Sequence, residues 1–150
     1  MFHLDTKRQL RVCGKIMRQP RNKSVLSEAR IILLHHVLPT TEELVYLFLE
    51  AGAEIYTFFS KPFSINQNVL DRLNDRGINF IHKSYDDLEN TNIIKQTLLD
   101  AIKLSKSDNK PIIVLEVGGY FAKFLKELSP EDVKYITGVV EDTTFGHNRY

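Results

Sequence analysis

Three short stretches carry the side chains best suited to chemistry in this 150-residue chain. His35-His36 sets two imidazoles side by side, and imidazole suits proton transfer near neutral pH. Glu116-Val117-Gly118-Gly119 puts an acid ahead of a glycine pair. Such a pair permits close backbone approach and can open a helix whose amides meet an anion. Glu141-Asp142-Thr143-Thr144 offers carboxylates and hydroxyls that could form an acid–base pair or hold ligand hydroxyls. Each stretch also has a purely structural alternative: inert strand-end histidines, a tight strand-to-helix turn, and a helix N-cap with solvated charges. Ser64-Ile65-Asn66-Gln67 either caps a helix or lines the same site.

Other chemistries lack their residues. His3, His35, His36, His82 and His147 show no zinc-type spacing, and one cysteine cannot complete a thiolate site, so no metal is expected. Nucleophile elbows, P-loops and kinase signatures are absent. Gly118-Gly119-Tyr120-Phe121-Ala122 has bulky residues where a dinucleotide fingerprint needs glycine, so no NAD is expected on this chain alone.

Five apolar runs must position these residues: 30–35, 54–59, 78–81, 111–115 and 135–140. Several of them are too uniformly apolar for a half-exposed sheet and suit parallel strands covered on both faces. Helical patterns fill the gaps: from Thr40 or Thr41 through Ala51, Asn66 to Arg76, Asp86 to Ser105, Gly119 to Leu128, and a turn opened by Ser129-Pro130. Residues 1–26 read as a helical lead-in to a single domain. The alternation predicts an α/β, three-layer, Rossmann-like or flavodoxin-like domain with a five-stranded, mainly parallel sheet in the order 3-2-1-4-5. That order reverses between strands one and four and opens a crevice where the three chemical stretches meet. The aromatic group Tyr56, Phe58, Phe59 and Phe63 reads as core packing rather than a base-stacking platform.

The totals are those of an ordinary globular protein, 43% hydrophobic and 26% charged. A formal net charge of +1 gives no reason to expect nucleic acid or an anionic membrane. Basic residues do gather at Lys7, Arg8, Arg11, Lys15, Arg18, Arg21 and Lys23, and they read as a solvated helix face. The single cysteine, Cys13, excludes an internal disulfide and reads as a buried, inert thiol. No run is long and apolar enough to span a bilayer and no signal-peptide pattern is present, so a cytoplasmic location is expected.

The motif order resembles the amino-terminal substrate domain of S-adenosylhomocysteine hydrolases. The likeness runs through Ala29-Arg30-Ile31, Leu34-His35-His36, Ala51-Gly52-Ala53-Glu54-Ile55, Pro62-Phe63-Ser64-Ile65-Asn66, Leu115-Glu116-Val117-Gly118-Gly119 and Gly138 to Gly146. The resemblance implies an enzyme that uses NAD to oxidise a ribose 3′-hydroxyl, eliminates homocysteine, adds water and reduces the product again. It implies His36 and Asp142 as catalytic residues, the latter in place of a glutamate. Thr40, Ser64, Asn66, Glu116, Gly118, Gly119 and Glu141 would bind substrate, and Thr143 and Thr144 would reach the cofactor. Val117 stands where the family has an aspartate, Leu38 and Thr40 replace residues that recognise adenosine, and Phe145 replaces a third threonine. A valine can neither exchange a proton nor carry charge. The family's lysine, its second aspartate and its NAD-binding domain would lie beyond Tyr150.

The expected function is therefore the substrate-domain part of a divergent S-adenosylhomocysteine-hydrolase-like protein, taking a nucleoside-like small molecule and not competent alone. The alternative is a non-enzymatic assembly module, a pseudoenzyme that pairs with itself or with a partner carrying the cofactor domain. A phosphoacceptor receiver domain would need acids at the ends of strands one and three, where Leu34-His35-His36 and Ile81-His82-Lys83 stand.

Overall fold

The computed structural model describes residues 10–150. Five strands, β1 (Arg30–Val37), β2 (Glu54–Ile65), β3 (Phe80–His82), β4 (Ile112–Glu116) and β5 (Ile136–Glu141), form one sheet in the order β3-β2-β1-β4-β5. All four neighbouring pairs are parallel. The α/β class and the strand order are those expected from the apolar runs.

Side chains of β1 alternate between two cores, as the period of two requires. Ile32 and Leu34 pack with Phe59, Ile112 and Val114 under α4 (Tyr85–Asn90), α5 (Ile93–Asp108) and α6 (Ala122–Lys126), through Leu88, Leu98, Ile102 and Phe124. Ile31, Leu33 and Val37 pack with Phe58 under α2 (Pro39–Glu50) and α3 (Gln67–Asp75), through Val45, Val69 and Leu73. Each such fully buried side chain contributes about 1.5–3 kcal/mol, so the sheet is held from both sides. Short helices α7 (Pro130–Val133) and α8 (Thr144–His147) flank β5.

Several helix limits differ from the sequence expectation, each for a local reason. Leu38 precedes α2 with no side-chain cap, and Pro39 starts the helix where its missing N–H costs nothing. The 86–105 segment divides into α4 and α5. Thr91 turns extended, its hydroxyl donating to the Asp87 carbonyl and accepting from the Ile93 amide. Helix α6 starts after the expected Gly119, because Gly118 and Gly119 hold left-handed backbone, and the Glu116 side chain accepts the free amides of Tyr120 and Phe121 ahead of it.

Of the lead-in, Arg11–Met17 forms α1 and Pro20–Asn22 a single 3₁₀ turn, while positions 1–9 lie outside the described residues. Cys13 is exposed on α1, not buried as expected, because Gly14 is the residue that this helix turns inward. Among the described residues no helix is long and apolar enough to cross a membrane.

Candidate functional site

The carboxyl ends of β1, β4 and β5 meet in register, with Leu34 beside Glu116 and Glu116 beside Glu141. At a spacing of about 4.8 Å per strand, this sets the ends of β1 and β5 about 10 Å apart. The order reverses here, since β1 lies between β2 and β4.

Gly118 and Gly119 both adopt left-handed backbone, φ +113° and +69°. A Cβ on Gly119 would lie 2.7 Å from the Gly146 carbonyl oxygen, so only glycine fits. The turn is closed from two sides. Glu116, 0% exposed, accepts the amides of Tyr120 (2.6 Å) and Phe121 (3.1 Å), and the Tyr150 hydroxyl donates to it. Burial pushes the Glu116 carboxyl above the usual range against these donors, and burial together with the Glu116 bond pushes the Tyr150 phenol up. Glu141 accepts the amides of Gly118 (3.0 Å) and Gly119 (2.8 Å) and both the amide (2.7 Å) and hydroxyl (2.6 Å) of Thr143. Burial works against the Glu141 charge, but the Thr143, Gly118 and Gly119 donors outweigh it and hold the carboxyl below its ordinary value. The glycine amides are therefore taken up within the chain rather than directed at a ligand.

The histidines form a second group. The His36 Nδ1 lies 2.6 Å from the Ser64 Oγ. The His35 Nδ1 accepts the His36 amide (2.9 Å) and lies 3.2 Å from the Thr41 hydroxyl of α2. Burial lowers both imidazoles below the ordinary histidine range; the Lys61 charge acts in the same direction and Asp142 opposes it. Burial thus favours the neutral form of both rings.

Ser64 reaches His36 because β2 bulges. His35 pairs with Ser60 and Val37 with Ile65, so one residue on β1 faces four on β2: Lys61, Pro62, Phe63 and Ser64. The Lys61 Nζ donates to the Val117 carbonyl (3.1 Å) and sits 5.3 Å and 5.1 Å from the Tyr85 and Tyr120 ring centres. Burial lowers its pKa, while Glu141 and Glu116 oppose the shift. Arg149 bridges the Gly118 carbonyl (3.0 Å) and Glu89 (2.8 and 2.7 Å), clamping α8 over the turn.

The expected site residues thus divide. His36 and Ser64 touch. Glu116, Gly118, Gly119, Glu141 and Thr143 make up the closed turn, in which Thr143 also caps α8 by accepting the Gly146 amide. Asp142 is exposed and acts on the histidines through its charge alone. Asn66 caps α3 by accepting the Val69 amide, while Thr40 and Thr144 are exposed. Val117 is 6% exposed, so the position of the family's aspartate is packed and apolar. Phe63 departs from the core expectation, being 98% exposed, because the bulge carries it off the sheet.

Lys61, Tyr120, Arg149 and Tyr150 join the site without a signature of their own. Pro62 was the available signal, since a proline inside a strand marks a bulge or an edge. Among the described residues no three His, Cys, Asp or Glu side chains gather as a metal site. No family model matches the chain, and no curated protein matches it.

Proposed function

We propose that this chain is the substrate-domain part of a divergent S-adenosylhomocysteine-hydrolase-like protein, a crevice that holds a nucleoside-like molecule by its hydroxyls. The observation that carries this reading is the His36–Ser64 pair at the reversal point of the sheet, with Asp142 close enough to influence both imidazoles. In the tautomer with the proton on His36 Nδ1, the Ser64 hydroxyl accepts from that N–H and donates to the Pro62 carbonyl (3.4 Å). His36 Nε2 then keeps its lone pair and can accept a hydrogen bond from a ligand hydroxyl. Burial and the Lys61 charge favour this neutral ring, while the Asp142 charge opposes them.

NAD, which the family resemblance implies, does not fit the described residues as a cradle. The one glycine turn at a strand end has both amides on Glu141, and Tyr120 and Phe121 follow it. Only exposed Thr144 remains to meet a cofactor held by a partner or another domain. With a buried valine at position 117, the chain alone is not competent to hydrolyse the thioether. Calorimetry with adenosine and with S-adenosylhomocysteine tests the binding, and a turnover assay with NAD tests the competence. Saturable binding without turnover is expected; absence of binding to both ligands at millimolar concentration overturns the proposal.

A second reading, a non-enzymatic module that pairs with a second copy, draws on the apolar face of β4 and β5. A groove of about 400 Å³ there is lined by Met17, Val25, Leu26, Ile31, Leu44, Phe48, Ile113, Leu115 and Val140. Light scattering that finds only monomers would remove it.

A further inference from the structure

The least expected side chain on the surface is Phe63. It is 98% exposed, and its backbone is left-handed at φ +62°, a conformation unfavourable for any residue bearing a Cβ. The bulge that displays it is anchored from three directions: Ser64 to His36 on β1, the Pro62 carbonyl to the Tyr85 hydroxyl (3.2 Å) on α4, and Lys61 to the Val117 carbonyl after β4. The fold therefore keeps an unfavourable backbone in place to hold an apolar ring in water. Backbone held in such a conformation clusters at ligand clamps and switch regions.

The ring is not alone. Phe63 and Tyr85 centres are 6.2 Å apart at 47°, and Tyr85 and Tyr120 are 6.5 Å apart at 15°. The three rings step from the tip of the bulge toward the glycine turn, with the Lys61 amine against the last two. Phe63 immediately precedes Ser64, whose hydroxyl meets His36.

We propose that Phe63 and Tyr85 form the stacking platform for the flat heterocycle of the ligand, holding its ring while His36 and Ser64 meet its hydroxyls. The proposal rests on the nucleoside reading above and names where the base lies. Size favours a small flat ligand over a macromolecule. One phenyl ring buries about 150–250 Å², whereas a stable protein interface needs about 800 Å² per partner. Ser64, Asn66 and Gln67 beside it are polar, and Ile65 and Tyr85 add only partly exposed apolar surface.

The chain has no tryptophan, so Phe63→Trp introduces a single reporter at the platform. Adenosine should quench its emission saturably, and ribose alone should not. By calorimetry, Phe63→Ala should weaken adenosine binding about 5- to 150-fold, the range of a lost base–aromatic stack, and Phe63→Tyr should retain it. Equal adenosine affinity in wild type and Phe63→Ala overturns the platform and leaves the crevice reading standing. No adenosine binding to wild type overturns both. An emission shift that follows protein concentration without ligand assigns the ring to a contact between copies and overturns the platform.

Discussion

Glu141→Gln should unfold the site without removing a ligand contact. The carboxylate accepts four bonds, from the amides of Gly118, Gly119 and Thr143 and from the Thr143 hydroxyl. A glutamine offers one carbonyl oxygen, and its NH₂ group would face donors. At least two charge-assisted bonds go, each worth about 1.5–3 kcal/mol. Partial relaxation of a half-buried side chain leaves a net loss of about 3 kcal/mol. For a domain of this size that is a fall in Tm of about 6–12 °C, read by far-UV circular dichroism. The pH dependence gives a second readout. Glu141 is held below its ordinary 4.5, so its stabilisation is complete above that value. It fades as pH falls through the folded-state value, because the unfolded chain takes up its proton first. The gap between wild type and variant should therefore narrow in acid. An unchanged Tm at neutral pH, or a gap that stays constant down to about pH 3, would refute the structural role of Glu141.

Gly119→Ala should lose about 2–4 kcal/mol, from left-handed strain plus the clash with Gly146 and Arg149. Gly77→Ala, whose φ is +79° but whose Cβ would meet nothing within 4 Å, should lose only about 1 kcal/mol; urea titrations compare the two. The His36 imidazole, lowered chiefly by burial, should titrate by NMR below the ordinary 6.5. Its share of stability is full above 6.5 and is lost as pH falls to the folded-state value, so a midpoint at or above 6.5 contradicts the geometry. Val117→Asp should cost about 3 kcal/mol or more, since it buries an unpaired carboxylate beside Glu116. A stability equal to wild type in denaturant would show that the position is open to water.

The sheet was legible because parallel strands covered on both faces leave uninterrupted apolar runs such as Ile31 to Leu34. The meeting of His36, the glycine pair and Glu141 at one sheet end followed from the strand order. The roles within that meeting did not follow. Glu116 and Glu141 look like ligand acids in sequence, yet both bond the glycine turn and its flanks, an outcome set by the register of β4 against β5. Phe63 looked like core because a single run of aromatics spans 56–63, and the bulge that carries it off the sheet is a register shift between β1 and β2 that no local pattern of aromatics marks. Tyr150 closes on Glu116 across a distance in sequence that no local pattern marks.

The most direct test is to follow the imidazole NMR signals during titration with adenosine. The expected result is that His36, and His35 beside it, shift saturably while His147, exposed on α8, does not. Imidazole signals of His36 that stay fixed at millimolar adenosine, with wild-type protein folded, would contradict a ligand held at the end of β1.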